Sequence, residues 1–167
     1  MKTNDRLVFD CIDAYTAGNP VRLVKSPRPK LEGITMGEKR LNFIRDYDWI
    51  RTGLMFEPHG HDMMSGSFFY SPENTDNDVA LLFIETSGCL PMCGHGLIGA
   101  LTILLEEQLI HPKKEGVLRV ETPAGLVVAN YFKEREKITG IKFTNVPAFL
   151  SAFDLKIDCS DLGSLNI

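Results

Sequence analysis

The chain has 167 residues, 44% hydrophobic and 24% charged, which is the composition of one globular domain and excludes a disordered chain. At this length a domain withdraws roughly 68–70% of its unfolded surface from water, enough for a core without disulfides or structural metals. The 18 Lys and Arg against 22 Asp and Glu give a net charge of −4, with no basic run longer than Lys113-Lys114, which argues against a nucleic-acid partner.

Residues 7–14 and 21–24 are two strand-like runs around the turn residues Gly18-Asn19-Pro20. Ser26-Pro27-Arg28-Pro29-Lys30 excludes a helix, whereas Thr35-Met36-Gly37-Glu38 has the form of a capping box. Leu41, Ile44 and Tyr47 then share one face, predicting a helix over residues 37–47. A strand pattern follows over residues 65–70, and the six apolar residues 79–84 predict a strand buried on both faces. Beyond Pro91-Met92-Cys93-Gly94-His95-Gly96, residues 97–110 are apolar on nearly every side until Glu106, Glu107 and Gln108, and Pro112 ends this helix. Further strands are expected at residues 117–122, 126–132, 138–144 and 155–157, with Pro123-Ala124-Gly125 as a turn. Strands on both sides of one buried helix predict an α+β fold, a mixed sheet wrapped around that central helix. Residues 162–167 read as a turn entering another strand, so the chain is expected to be part of a longer protein.

Residues 1–10 carry no apolar segment of the signal-peptide kind, and no apolar stretch approaches the ~20 residues of a bilayer span, so a cytoplasmic protein with no membrane partner is expected. The four cysteines, Cys11, Cys89, Cys93 and Cys159, are too irregularly spaced for a secreted disulfide framework. Cys93 stands where a loop becomes a helix, with Gly94 and Gly96 beside it. Free N–H groups and the macrodipole at such a terminus attract anions and lower a thiol pKa. Cys93 is therefore expected to be the most acidic and most reactive thiol, a base for a proton α to a carboxylate, with Gly94 and His95 holding that carboxylate through their amides. A plainer reading makes Cys93 a small residue at a tight turn, and another makes Cys89, Cys93 and His95 zinc ligands. A Cys89–Cys93 disulfide is conceivable but nothing in the sequence motivates it. His59-Gly60-His61-Asp62 invites a metal-dependent hydrolase reading, thin because a catalytic metal needs three well-placed ligands. Cys11 reads as a core residue, and Cys159 carries no detectable role.

Pro91-Met92-Cys93-Gly94-His95-Gly96, preceded by Phe83-Ile84-Glu85-Thr86-Ser87-Gly88, resembles the first-half signature of the proline racemase family. Thr16-Ala17-Gly18-Asn19-Pro20-Val21-Arg22, Arg51-Thr52-Gly53-Leu54-Met55-Phe56-Glu57-Pro58, Gly60-His61-Asp62-Met63-Met64-Ser65-Gly66, Glu121-Thr122-Pro123-Ala124-Gly125 and Asn145-Val146-Pro147-Ala148-Phe149-Leu150 look like family blocks in family order. Gly18-Asn19-Pro20 and Tyr47-Asp48-Trp49-Ile50-Arg51 look most like its hydroxyproline epimerases. The resemblance implies one half of a diaminopimelate-epimerase-like fold of two similar lobes, with residues 1–167 as the N-terminal domain and the second absent. It further implies cofactor-independent epimerisation of 4-hydroxyproline by two cysteines, Cys93 serving one face, with Gly94 and His95 on the carboxylate and neither metal nor other cofactor. Proline racemase and trans-3-hydroxyproline dehydratase activities are the implied alternatives. Tyr15, His59 and Leu97 depart from the family's usual His, Arg and Thr, and Leu97 either crowds the pocket or fills core. A truncated, non-catalytic module is the remaining alternative. Residues 92–97 are expected to form an exposed apolar wall in the lone half, covered by the missing C-terminal half or by a homodimer partner.

Overall fold

The computed structural model describes residues 6–161 and 163–166. Strand β1 (Asp10–Thr16) turns into β2 (Asn19–Ser26) through Ala17 and Gly18, whose φ values of 49° and 89° make the two-residue loop that suits the right-handed twist of paired strands. Helix α1 (Met36–Asp46) starts at the expected capping box: the Glu38 amide donates to Thr35 Oγ1 at 3.2 Å, and Glu38 Oε2 accepts from the Thr35 amide at 3.0 Å. Helix α2 (Asp48–Met55) follows at once and was not expected. It has no side-chain cap and buries only Ile50 and Met55, so it shows no run of apolar period.

Next come β3 (Ser65–Tyr70), β4 (Val79–Glu85) and the short β5 (Gly88–Leu90). Helix α3 (Gly94–Glu106) leads to β6 (Val117–Thr122), β7 (Gly125–Glu134) and β8 (Lys137–Thr144). Strands β9 (Lys156–Cys159) and β10 (Gly163–Asn166) form a separate antiparallel pair, so the expected terminal strand is present, while Leu162 and Ile167 lie outside the described residues. The expected central helix is shifted. It begins three residues earlier, at Gly94, and ends at Glu106, where polar residues follow and Gln108 turns left-handed at φ 53°.

The main sheet is mixed, in the order β1-β2-β3-β4-β6-β7-β8, with β5 also paired to β4. The β2/β3 and β4/β6 pairs are parallel and the others antiparallel. Helix α3 packs on β1 and β2 at one end of this order and on β8 at the other, so the sheet curls around it, as the sequence predicts. Strand β4 explains how two cores coexist. Its Val79, Leu81 and Phe83 join Leu97, Leu101 and Leu104 of α3, while Ala80, Leu82 and Ile84 join Met36, Phe43, Ile50 and Met55 of α1 and α2. Alternate residues of a strand face opposite sides, and here both sides are covered. Among the described residues no helix is long and apolar enough to cross a membrane.

Candidate active site around Cys93

Cys93 is the N-cap of α3, extended at φ −138° and ψ 114°, and its Sγ accepts from the Gly96 amide at 3.3 Å. The sulfur thus satisfies one of the orphan amides of the first turn. Glycine at 96 makes the approach possible: a Cβ there would stand 3.0 Å from Cys93 Sγ and 3.2 Å from Ser65 Oγ. The β3/β4 register sets Ser65 opposite Glu85, and Ser65 Oγ donates to Glu85 Oε1 at 3.1 Å. Ser65 Oγ also lies 3.8 Å from Cys93 Sγ, and His95 Nδ1 lies 3.5 Å from the same sulfur. His95 Nε2 is buried and has no hydrogen-bond partner. Gly94 is open except toward Phe143 of β8, whose ring edge would lie 3.4 Å from a Cβ at that position.

The turn carrying Glu85 is fixed from outside by α2. Arg51 bonds Asp48 through both guanidinium arms, at 2.7 and 2.8 Å, and donates to the Glu85 and Thr86 carbonyls at 2.9 and 3.1 Å. Sequence reasoning singled out Cys93, Gly94 and His95, and the structure gathers them at one helix start. Ser65 and Glu85 were missed. The available signal was that Glu85 is the polar residue closing the apolar run of β4, but only strand pairing shows that it ends beside Cys93.

The expected low Cys93 pKa is corrected. Burial pushes the thiol up, to about 11, with the Glu85 carboxylate, as hydrogen-bond acceptor and as nearby charge, adding to the rise. The Gly96 amide and the Ser65 hydroxyl pull it down, as the helix-terminus argument requires, but they are outweighed. Cys89 is raised further, to about 12, by burial, and burial raises Cys11 as well. The sulfurs of Cys89 and Cys93 belong to opposite cores, Cys89 with the α1 and α2 side chains and Cys93 with those of α3. A Cys89–Cys93 disulfide and a zinc set of Cys89, Cys93 and His95 are thereby set aside. The sulfur, an imidazole nitrogen of His95 and a carboxylate oxygen of Glu85 lie within 4.8 Å of one another, the one such His, Cys, Asp or Glu trio among the described residues. Among the described residues, His59, His61 and Asp62 form no comparable cluster.

Leu97 is fully buried among Leu23, Leu81 and Leu101, so this departure fills core and does not crowd a pocket. Tyr15 is 78% exposed and lines, with Arg22, His59 and His61, a surface pocket of about 210 Å³. The exposed apolar wall expected at residues 92–97 is not found: Cys93, Gly96 and Leu97 are buried, and Met92, Gly94 and His95 half-buried. Packing of α3 under the curled sheet buries Cys93, Gly96 and Leu97.

A mixed sheet curled around one capped, buried helix is the architecture of a lobe seen in two solved structures, each superposing with a TM-score of 0.80 over 95% of this chain. One is a hydroxyproline epimerase from Agrobacterium vitis, 24% identical, and the other a probable proline racemase from Agrobacterium radiobacter K84, 26% identical; the chain covers 47% and 48% of them. The proline racemase family profile matches residues 11–167, and the chain belongs to that family. It is 58% identical over 159 residues to 4-hydroxyproline 2-epimerase 2 of Brucella anthropi, and 58% identical over 160 residues to the 4-hydroxyproline 2-epimerase of Spirosoma linguale. Those alignments take in 95% of this chain but 47% and 48% of the relatives, so the chain spans about half the length of the curated relatives it matches.

Proposed function

We propose that residues 1–167 are the N-terminal domain of a cofactor-independent 4-hydroxyproline 2-epimerase, with Cys93 as the acid–base residue for one face of the α-carbon. The carrying observation is the placement of the Cys93 sulfur at the start of α3, bonded by the Gly96 amide and flanked by the glycine at 94 and the imidazole of His95. The 58% identity to proteins named 4-hydroxyproline 2-epimerase supports this substrate.

The chemistry follows from the helix terminus. The amides of Gly94 and His95 receive the substrate carboxylate, as helix starts receive anions. With the carboxylate anchored, the α-carbon comes within reach of Cys93 Sγ. A base on the opposite face breaks the C–H bond, the electron pair spreads into the carboxylate, and the Cys93 S–H bond breaks to deliver a proton from its own side. The product has the inverted centre, and Cys93 is left as thiolate, ready for the reverse reaction. Burial and Glu85 favour the protonated sulfur at neutral pH, the form that donates. The opposite base belongs to the C-terminal half, a partner needed for turnover.

The test is polarimetry of trans-4-hydroxy-L-proline with the complete protein, free of added cofactor or metal, alongside α-deuterium uptake from D₂O. Inversion lost in Cys93→Ala is the expected result. Racemisation of proline alone, or water loss from trans-3-hydroxy-L-proline alone, would replace this substrate reading; dependence on an added cofactor would defeat it.

A further inference from the structure

The Cys93, His95 and Glu85 trio combines three donor types, sulfur, imidazole nitrogen and carboxylate oxygen, drawn from the start of α3 and the end of β4. In a tetrahedral zinc site, Zn–S of about 2.3 Å and Zn–N of about 2.0–2.1 Å put sulfur and nitrogen about 3.5 Å apart. The observed separation between Cys93 Sγ and His95 Nδ1 is 3.5 Å. The Glu85 oxygen is no more than 4.8 Å from either donor, its side chain is half-buried, and its Oε1 accepts from Ser65 Oγ at 3.1 Å, a bond that a metal ion would replace. Cys93 is 7% exposed, so the thiolate donor would be largely shielded from competing water. We propose that Cys93, His95 and Glu85 form a binding site for a tetrahedral, thiophilic divalent cation such as Zn²⁺, and that its occupancy switches off proton transfer by Cys93.

Binding breaks the Cys93 S–H bond, releases that proton to solvent and forms a metal–sulfur bond, with no change of oxidation state. The sulfur lone pair that would carry the α-proton is then engaged. The metal is an inhibitor and not a participant in the reaction. This inhibitory consequence rests on the proposed role of Cys93; the binding site itself does not.

The experiment is a titration of the full chain with Co²⁺, followed by displacement with Zn²⁺, without substrate. The expected result is one equivalent bound, with a thiolate-to-cobalt charge-transfer band that Zn²⁺ abolishes. Cys93→Ser should lose the band, and Glu85→Gln should weaken binding by at least about tenfold, the lower end of what losing a group that merely orients a ligand costs. Cys89→Ala should bind as the parent does. Each variant's thermal unfolding shows that it is folded, and Glu85→Gln, which keeps the side-chain shape, serves if Cys93→Ser does not fold. No thiolate band in the parent, an unchanged affinity in Glu85→Gln, or loss of the band in folded Cys89→Ala would overturn the proposal. If metal binds as described while the complete protein leaves hydroxyproline untouched, the substrate reading fails and the site stands.

Discussion

Gly96 shows how one missing side chain shapes the site. A methyl group there would press on Cys93 Sγ at 3.0 Å and Ser65 Oγ at 3.2 Å, both closer than ordinary contact. Alanine is the better helix former by about 1 kcal/mol, so an open position would be stabilised by Gly96→Ala. Here that gain is offset by displacement of the sulfur. The expected outcome is a melting temperature close to the parent's together with a fall in epimerisation by the complete protein of about tenfold or more, since small misplacements of a reacting group cost rate steeply. Calorimetry and polarimetry on the same preparation check it. At this scale the sequence was legible where the residues are neighbours in the chain. Cys93, Gly94 and His95 announce a helix start, whereas Ser65 and Glu85 arrive through strand pairing across 20 residues and could not be read locally. The sign of the Cys93 pKa shift was misread for the same reason: the amide that lowers it is three residues away, while the burial and the carboxylate that raise it come from the fold.

The elements differ in how openly the sequence declares them. Helix α1 begins with reciprocal side-chain bonds between Thr35 and Glu38, so its start is written in four residues. Thr35→Ala is expected to cost about 1 kcal/mol by orphaning the Glu38 amide, readable as a lower urea midpoint with an unchanged slope. Helix α2 is opaque because tertiary bonds hold it, chiefly Arg51 reaching the Glu85 and Thr86 carbonyls. Helix α3 was visible as an apolar run, but its ends were set by the Cys93 cap and by the left-handed Gln108, neither of which periodicity reports. Its contact with the β1–β2 hairpin is tight at Gly99, where a Cβ would lie 2.9 Å from Thr16 Oγ1 and from Val21 Cβ and Cγ1. The flexible end of a side chain can move aside, but the β-branched Val21, wholly buried, cannot do so freely. Gly99→Ala should therefore destabilise by about 1–3 kcal/mol from overpacking, reduced by the alanine's helix preference. A variant more stable than its parent in urea would show that α3 has room to shift.

Across the whole molecule, the two cores on either side of β4 carry different chemistry. The core under α1 and α2 holds the Cys89 thiol, whose pKa burial raises from an ordinary 9.0 to about 12. Between those values the unfolded chain has released the proton while the folded chain retains it. The folded state then binds more protons, so stability falls as pH rises through that window. Melting temperatures measured across the alkaline range should decline in the parent and decline less in Cys89→Ala. An equal decline would assign the alkaline sensitivity to other groups.

The core around α3 governs what the chain can do alone. Inversion at an α-carbon requires a proton removed from one face and another delivered to the opposite face. Cys93 is fixed at the start of α3 by the Gly96 amide and backed by Ser65 and Glu85, so in its proposed role it would address substrate from one side. Cys89 lies behind the sheet in the other core, and Cys11, half-buried, packs against that same core. Neither can supply the second face. Large apolar side chains are exposed beyond β8, with Phe149 at 86%, Leu150 at 74% and Phe153 at 81%. Such side chains close together in sequence favour association, whether with the C-terminal half or with a second copy as a homodimer. The 167-residue chain is accordingly expected to self-associate in sedimentation and to leave the optical rotation of trans-4-hydroxy-L-proline unchanged. α-Deuterium uptake, if any, should proceed slowly and with retention, the signature of one base returning the proton to the face it came from. Adding the separately produced C-terminal half should restore inversion and shift the sedimenting species. A lone chain that sediments as a monomer and inverts the substrate would show that both faces are served from within residues 1–167, and the assignment of the second base to another half would have to be abandoned.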